Sequence, residues 1–248
     1  MAARQTMTDM PDFFQDLRAV LFDVFGTVVD WRSSVARDVN EIAARHGITV
    51  DARAFADRWR ALYQPAMLRV RLGEIPFVTL DVLHRQNLEQ VLGEFSLDTL
   101  NEVEKADLNR AWHRLDPWSD VVAGLERLKQ RYIIGTLSNG NIALIANMAK
   151  YARLPWDVIL GAEIARAYKP QPEAYLGSAA ALSLAPQQCM LVAAHNSDLQ
   201  AAANCGFRTA FVARSLEHGP AQKTDLVAQG DYDIVAQGFA DLATHLNC

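Results

Sequence analysis

Residues 18–23 read Arg-Ala-Val-Leu-Phe-Asp, an apolar run that stops at a carboxylate. A run so short and so uniformly apolar fits a strand covered on both faces, as inside a parallel sheet. Similar runs recur at 132–137, 158–160, 189–193, 209–212 and 233–235. Helical patterns separate them: Val121, Val122, Leu125 and Leu128 share one face, as do Ile142, Ile145 and Met148. Strands alternating with helices predict an α/β fold, a doubly wound parallel sheet with a Rossmann-like core.

The rhythm breaks once. Between Trp31 and Arg114 only helical spacing is present. Val35, Val39 and Ile42 mark one helix that should end near Gly47. Phe55, Trp59, Leu62 and Tyr63 mark a second, which Pro65 is expected to kink or end. Two more segments run over 77–92 and 97–115. The expected organisation is therefore a core of residues 17–30 and 116–248, an all-helical cap over 31–115 and a leader over 1–16. An insertion placed directly after the first strand should cover the carboxyl edge of the sheet. A helical elaboration remote from any site is the plainer alternative.

Composition narrows the function classes. The 248 residues are half hydrophobic, enough for a sizeable core, and carry a net charge of −5 with no basic cluster. Nucleic-acid and membrane surfaces are therefore not expected, and an anionic substrate would need a local cation. Three cysteines, Cys189, Cys205 and Cys248, form no CxxC pair and argue against zinc or a disulfide framework. Cys189 and Cys205 read as small buried residues. No run approaches the roughly 20 apolar residues of a membrane span, and the N-terminus lacks a secretory pattern, so a cytoplasmic protein is expected.

In open α/β sheets ligands bind beyond the carboxyl ends of the strands. The predicted strands place there Asp23, then Ser138-Asn139-Gly140, then Lys169, then Ala194-His195-Asn196-Ser197-Asp198. One polar residue after a strand is often only a helix cap. Four such ends converging point to a site.

Asp23-Val-Phe-Gly-Thr27, Leu137-Ser-Asn-Gly140, Tyr168-Lys-Pro170 and the segment ending at Asp198 resemble the four motifs of the haloacid dehalogenase superfamily, in order and across nearly the whole chain. Within it the chain resembles the L-2-haloacid dehalogenases more than the phosphatases. Superfamily phosphatases usually carry a second Asp two residues after the nucleophile, to protonate the leaving alcohol and help bind Mg²⁺. This chain has Phe25 there. Halide leaves without a proton, so a dehalogenase can dispense with that acid. The resemblance thus implies hydrolysis of a small anionic 2-haloacid to a 2-hydroxyacid and halide, with no metal and no cofactor, and a homodimer, which is common among relatives. A Mg²⁺-dependent phosphatase and a non-catalytic binding module on the same scaffold are the competing readings.

Residue by residue, the resemblance implies that Asp23 is the nucleophile and Lys169 its cationic partner. Thr27 and Ser138 would orient carboxylate oxygens. Tyr175 matches an active-site tyrosine, Arg60 the cap arginine that reaches halogen and substrate, and Asn139 an asparagine of the halide cradle. Asp198 would hold the hydrolytic water, and Phe25 and Asn196 are counted among the substrate-binding groups. The clearest departure is in the last motif, where His195 stands at an asparagine position and Ala193 at a serine position. A neutral His195 could position or deprotonate water, or it could line a reshaped pocket. Thr27 as a turn cap, Tyr175 as a core residue and Arg60 on a solvated basic face are the rival structural roles. His46, His84, His113 and His218 show no partner pattern and read as surface or satisfied residues.

Overall fold

A computed structural model of the chain describes residues 14–248. Most of the leader expected over 1–16 lies outside the described residues. Five parallel strands form the main sheet: β1 (Ala19–Phe22), β4 (Ile133–Thr136), β5 (Cys189–Ala193), β6 (Arg208–Val212) and β7 (Ile234–Ala236), in the order β4-β1-β5-β6-β7. β1 lies between β4 and β5, in register with both. Its four residues are fully buried, as the apolar run requires. Helices α6 (Val121–Lys129), α7 (Ile142–Ala152), α8 (Pro172–Ala181), α9 (Asn196–Asn204) and α10 (Phe239–His245) connect or flank the strands. Connections run to opposite sides of β1, so the strand order reverses beside it and opens a crevice at its carboxyl end.

The strand expected at Val158–Leu160 is not regular. Val158 makes a single bridge to Gly135, and the Thr136 hydroxyl accepts the Leu160 N–H at 2.9 Å. A side chain thus takes a ladder position, and the segment lies along the edge of β4 as extended chain rather than a strand.

A two-stranded antiparallel ribbon, β2 (Val29–Asp30) with β3 (Asp116–Pro117), brackets the helical insertion. α1 (Trp31–Arg45) begins where the Asp30 carboxylate accepts the Ser33 N–H and buries Val35, Val39 and Ile42. Gly47 follows with φ +66, the left-handed turn anticipated for it. α2 (Ala52–Ala61) and α3 (Tyr63–Arg71) meet at Leu62. Pro65 therefore neither kinks nor ends a helix. It sits in the first turn of a new one, where its missing N–H is harmless and the break falls upstream. α4 (Leu80–Glu94) and α5 (Glu102–Asn109), followed by a 3₁₀ turn over Arg110–His113, complete the insertion. Cys189 is buried as expected, whereas Cys205 is only partly so. Among the described residues no helix is long and apolar enough to cross a membrane.

Candidate active site

Asp23 follows β1, and its backbone N–H donates to Val192 O of β5 at 3.0 Å, which fixes the carboxylate at the crevice. Both carboxylate oxygens are engaged. Oδ1 lies 2.8 Å from Lys169 Nζ; Oδ2 accepts the Thr27 hydroxyl at 2.7 Å and faces His195 Nδ1 at 3.2 Å. Thr27 Oγ1 in turn accepts the Ala194 N–H at 2.9 Å, tying the turn after β1 to the end of β5. Burial alone would raise the Asp23 pKa, but Lys169 and His195 outweigh it and hold the group well below the usual carboxylate range. Asp23 is an ionised, oriented anion.

Lys169 is shared. Its Nζ also contacts Asp198 Oδ2 at 2.5 Å, and its backbone N–H donates to Asn139 Oδ1 at 2.7 Å. Burial would lower its pKa, yet Asp198 and Asp23 carry it above the ordinary lysine value. Asp198 Oδ1 accepts the Tyr175 hydroxyl at 2.6 Å. Burial and Asp198 both raise the tyrosine pKa, so it stays a phenol donor. His195 lies between Asp23 and Glu217, with Nε2 2.9 Å from Glu217 Oε2. Against burial, Glu217 and Asp23 raise its pKa well above 6.5. A charged imidazole, rather than the neutral one considered from sequence, fits a carboxylate against each ring nitrogen.

Across a cavity of about 750 Å³ stands Arg60 of α2. Its guanidinium carbon is 4.1 Å from the Tyr63 ring centroid, 5.4 Å from that of Trp31 and 5.7 Å from that of Phe25. Its Nη1 is buried with no hydrogen-bond partner among the described residues. A cation held by aromatic faces, with a donor unused, is prepared for an anion. Phe25 forms part of the wall and packs edge-on against Trp112 at 6.0 Å. No acid stands at that position. Among the described residues no group of three or more His, Cys, Asp or Glu side chains is arranged to hold a metal ion.

Residues 17–206 match the haloacid dehalogenase-like hydrolases. The solved defluorinating L-2-haloacid dehalogenase Rha0230 is 54% identical, covering 94% of this chain and 96% of that one, with a TM-score of 0.92. The chain belongs to the L-2-haloacid dehalogenases. A second solved member, PA0810, is 48% identical over 93% of this chain and 99% of its own, with a TM-score of 0.90. The (S)-2-haloacid dehalogenase 4A of Burkholderia cepacia is 29% identical over 80% of this chain and 84% of its own.

Of the residues singled out from sequence, the dehalogenase brings Asp23, Phe25, Arg60, Asn139, Lys169, Tyr175, His195 and Asp198 to the lining of one cavity, with Thr27 behind Asp23. Two are not brought there. Ser138 Oγ accepts the Gly140 N–H at 3.0 Å and braces its own turn. Asn196 is not among the cavity-lining residues and holds the loop after β6: its amide nitrogen donates to Asp225 and to Val227 O, and its oxygen accepts the Gln229 N–H and the Tyr232 hydroxyl. Position after a strand does not fix which way a side chain turns.

Glu217, Trp31 and Arg214 were not anticipated. Arg214 Nε donates to Thr27 O at 2.9 Å and so supports the turn after β1. Arg214 and Glu217 both follow β6, a fifth strand end at the same edge, and extending the strand-end rule by one strand would have found them. Trp31, the first residue of α1, had only its place next to the first strand as a signal.

Proposed function

We propose that the Asp23 carboxylate attacks C2 of a small 2-haloacid in line with the departing halide, forming an aspartyl ester with inversion at C2. The helical insertion, residues 31–115, acts as the cap over a core of 17–30 and 116–248. It contributes Arg60, which receives the halide and orients the substrate together with Asn139. Lys169 keeps Asp23 ionised and, when the ester forms, retains Asp198 as its counter-ion. Asp198, held by Tyr175, positions the water that then adds to Asp23 Cγ. The Cγ–oxygen bond to the alkyl group breaks, one water proton goes to the departing alkoxide, and the other passes to solvent. The products are halide, a 2-hydroxyacid of inverted configuration and regenerated Asp23.

The observation that carries this reading is the pairing of an ionised, doubly braced carboxylate with an unsatisfied arginine across one cavity. Phe25 weighs against the phosphatase alternative, because it can neither protonate a leaving alcohol nor bind a hard cation. The likeness to a defluorinating relative extends the proposal to 2-fluoroacids. Three free cysteines suit a reducing cytoplasm, and the family resemblance supports a homodimer, which light scattering of the purified chain tests. The deciding experiment is a single turnover of chloro-, bromo- and fluoroacetate in H₂¹⁸O. Halide release with label in the Asp23 carboxylate is expected. Label found only in the product would mean that water attacks the substrate directly.

A further inference from the structure

Glu217 has no part in the steps above, yet it is 2% exposed and ends in the middle of the site. Its Oε2 faces His195 Nε2 at 2.9 Å, and its Oε1 accepts the Trp31 indole N–H at 3.0 Å. The turn after β1 is shaped around it. Gly26 has φ +89, and a Cβ there would collide with the Glu217 carboxylate. A glycine is therefore required both by the backbone and by the close approach of this side chain.

His195 then has a carboxylate oxygen against each ring nitrogen, Glu217 on Nε2 and Asp23 on Nδ1. A neutral imidazole carries one N–H and satisfies only one of them; the other contact would set two lone pairs together. The two-sided contact calls for both N–H groups. Around the same cavity stand Lys169, Asp198, Asp225, His218, and Asp57 and Arg60 of α2. Glu217 and Asp23 are the groups that touch the ring.

The two oxygens of Asp23 are not equivalent. Lys169, on Oδ1, has a second anion in Asp198, so Oδ1 can be released to attack carbon. Oδ2 keeps Thr27 and His195 and becomes the carbonyl oxygen of the ester. We propose that Glu217 is a positioning residue that clamps His195 with both nitrogens donating, so that Nδ1–H and the Thr27 hydroxyl form the oxyanion hole for ester hydrolysis. Water adds to Cγ, the negative charge gathers on Oδ2 between these two donors, and collapse restores the Cγ–Oδ2 double bond while the Cγ–Oδ1 bond breaks. The proton on Nδ1 stays with His195 throughout. This role rests on the covalent mechanism proposed above and falls on its second half.

Glu217→Gln tests it by rapid quench with chloroacetate. The expected result is a halide burst of about one per site at a rate within roughly threefold of wild type. Steady turnover should then fall by about 10- to 100-fold, because a neutral imidazole stabilises the oxyanion less than an imidazolium; removal of a whole hole donor costs about two to three orders. Mass spectrometry should show the ester accumulating on the variant. Ring ¹⁵N spectra should show His195 doubly protonated in the wild type at pH 7.5 and singly protonated in the variant. Equal slowing of burst and turnover with no adduct, and an unchanged ring, would overturn the proposal. If the variant does not fold, the wild-type spectrum decides, because a singly protonated His195 at pH 7.5 contradicts the clamp. Failure of the wild type itself to take ¹⁸O into Asp23 would instead defeat the covalent mechanism, independently of Glu217.

Discussion

Two histidines in this dehalogenase, one half-buried and one fully buried, have opposite fates, and they mark two regions with different electrostatic designs. His195, at the carboxyl edge of the sheet, has a carboxylate on each side and is held charged. His84, on the buried face of α4, stacks on Trp112 with ring centroids 4.3 Å apart, and neither nitrogen has a partner among the described residues. Burial, helped by Arg60, lowers its pKa to about 3. At the sheet edge Asp23, Lys169, Asp198, His195 and Glu217 are paired in advance. The insertion presents aromatic rings, a neutral imidazole and a guanidinium with a free donor. One side is complete before substrate arrives, and on the proposed mechanism the other is completed by the substrate's own negative charge.

The largest effect should come from the paired side. Asp23→Asn removes the proposed nucleophile, and kcat for halide release should drop by about four orders of magnitude or more. Retention of more than a hundredth of the activity would show that Asp23 is not the attacking group. Next, Lys169→Met leaves Asp198 without its cation and Asp23 with His195 alone. Breaking a buried pair in this way costs about 3–5 kcal/mol, which urea unfolding at pH 7 would reveal; an unchanged midpoint would mean that the charges are not matched as described.

The insertion should respond differently. Arg60→Lys is expected to reduce kcat/KM by about 100-fold, because an ammonium lacks the planar fork that stacks on rings and holds two acceptors. Its melting temperature should be equal to or above wild type, since no ion pair is lost. A clear loss of stability would make Arg60 structural rather than poised for a ligand.

The smallest effect concerns the histidines themselves. His84 is neutral in the folded protein and protonates near pH 6.5 when unfolded. The unfolded state therefore binds the extra proton between about pH 6.5 and 3, and stability should fall by up to about 1.4 kcal/mol per pH unit as pH drops through that window. His195 behaves in the opposite sense: its raised pKa gives stability that is full below pH 6.5 and is lost as pH climbs through the folded value. Stability should thus peak near pH 6.5. His84→Phe should abolish the decline between pH 6.5 and 4.5 while changing stability at pH 7 by only about 1 kcal/mol. A variant with the wild-type acid slope would place the titrating group elsewhere.

Much of this contrast was legible beforehand, unevenly. Buried parallel strands announce themselves as apolar runs, and their ends located Asp23, Lys169, Asp198 and His195. Arg60 was found by its resemblance to a cap segment, although its neighbours Arg53 and Arg58 made a solvated face a fair rival. Glu217 escaped because its loop has no periodicity and its indole partner lies 186 residues away. His84 was misjudged as surface or satisfied although helical spacing pointed inward: Leu80, Leu83, Leu88 and Val91 lie on the same buried face. Ser138 and Asn196 occupy strand-end positions, but local hydrogen bonds turn their side chains to structural use.

The β2–β3 ribbon has a consequence beyond holding two strands together. Asp30 and Asp116, where the chain leaves the core and where it returns, stand opposite each other in register. Directly opposed residues in an antiparallel pair are only about 5 Å apart. A short turn could therefore join them with the whole insertion removed, and the register of the main sheet would not have to change. In evolutionary terms the helices are an exchangeable module on a fixed socket. On the proposed mechanism the covalent chemistry would stay with the sheet, and replacing one contiguous piece of chain would exchange the cavity wall that carries Arg60.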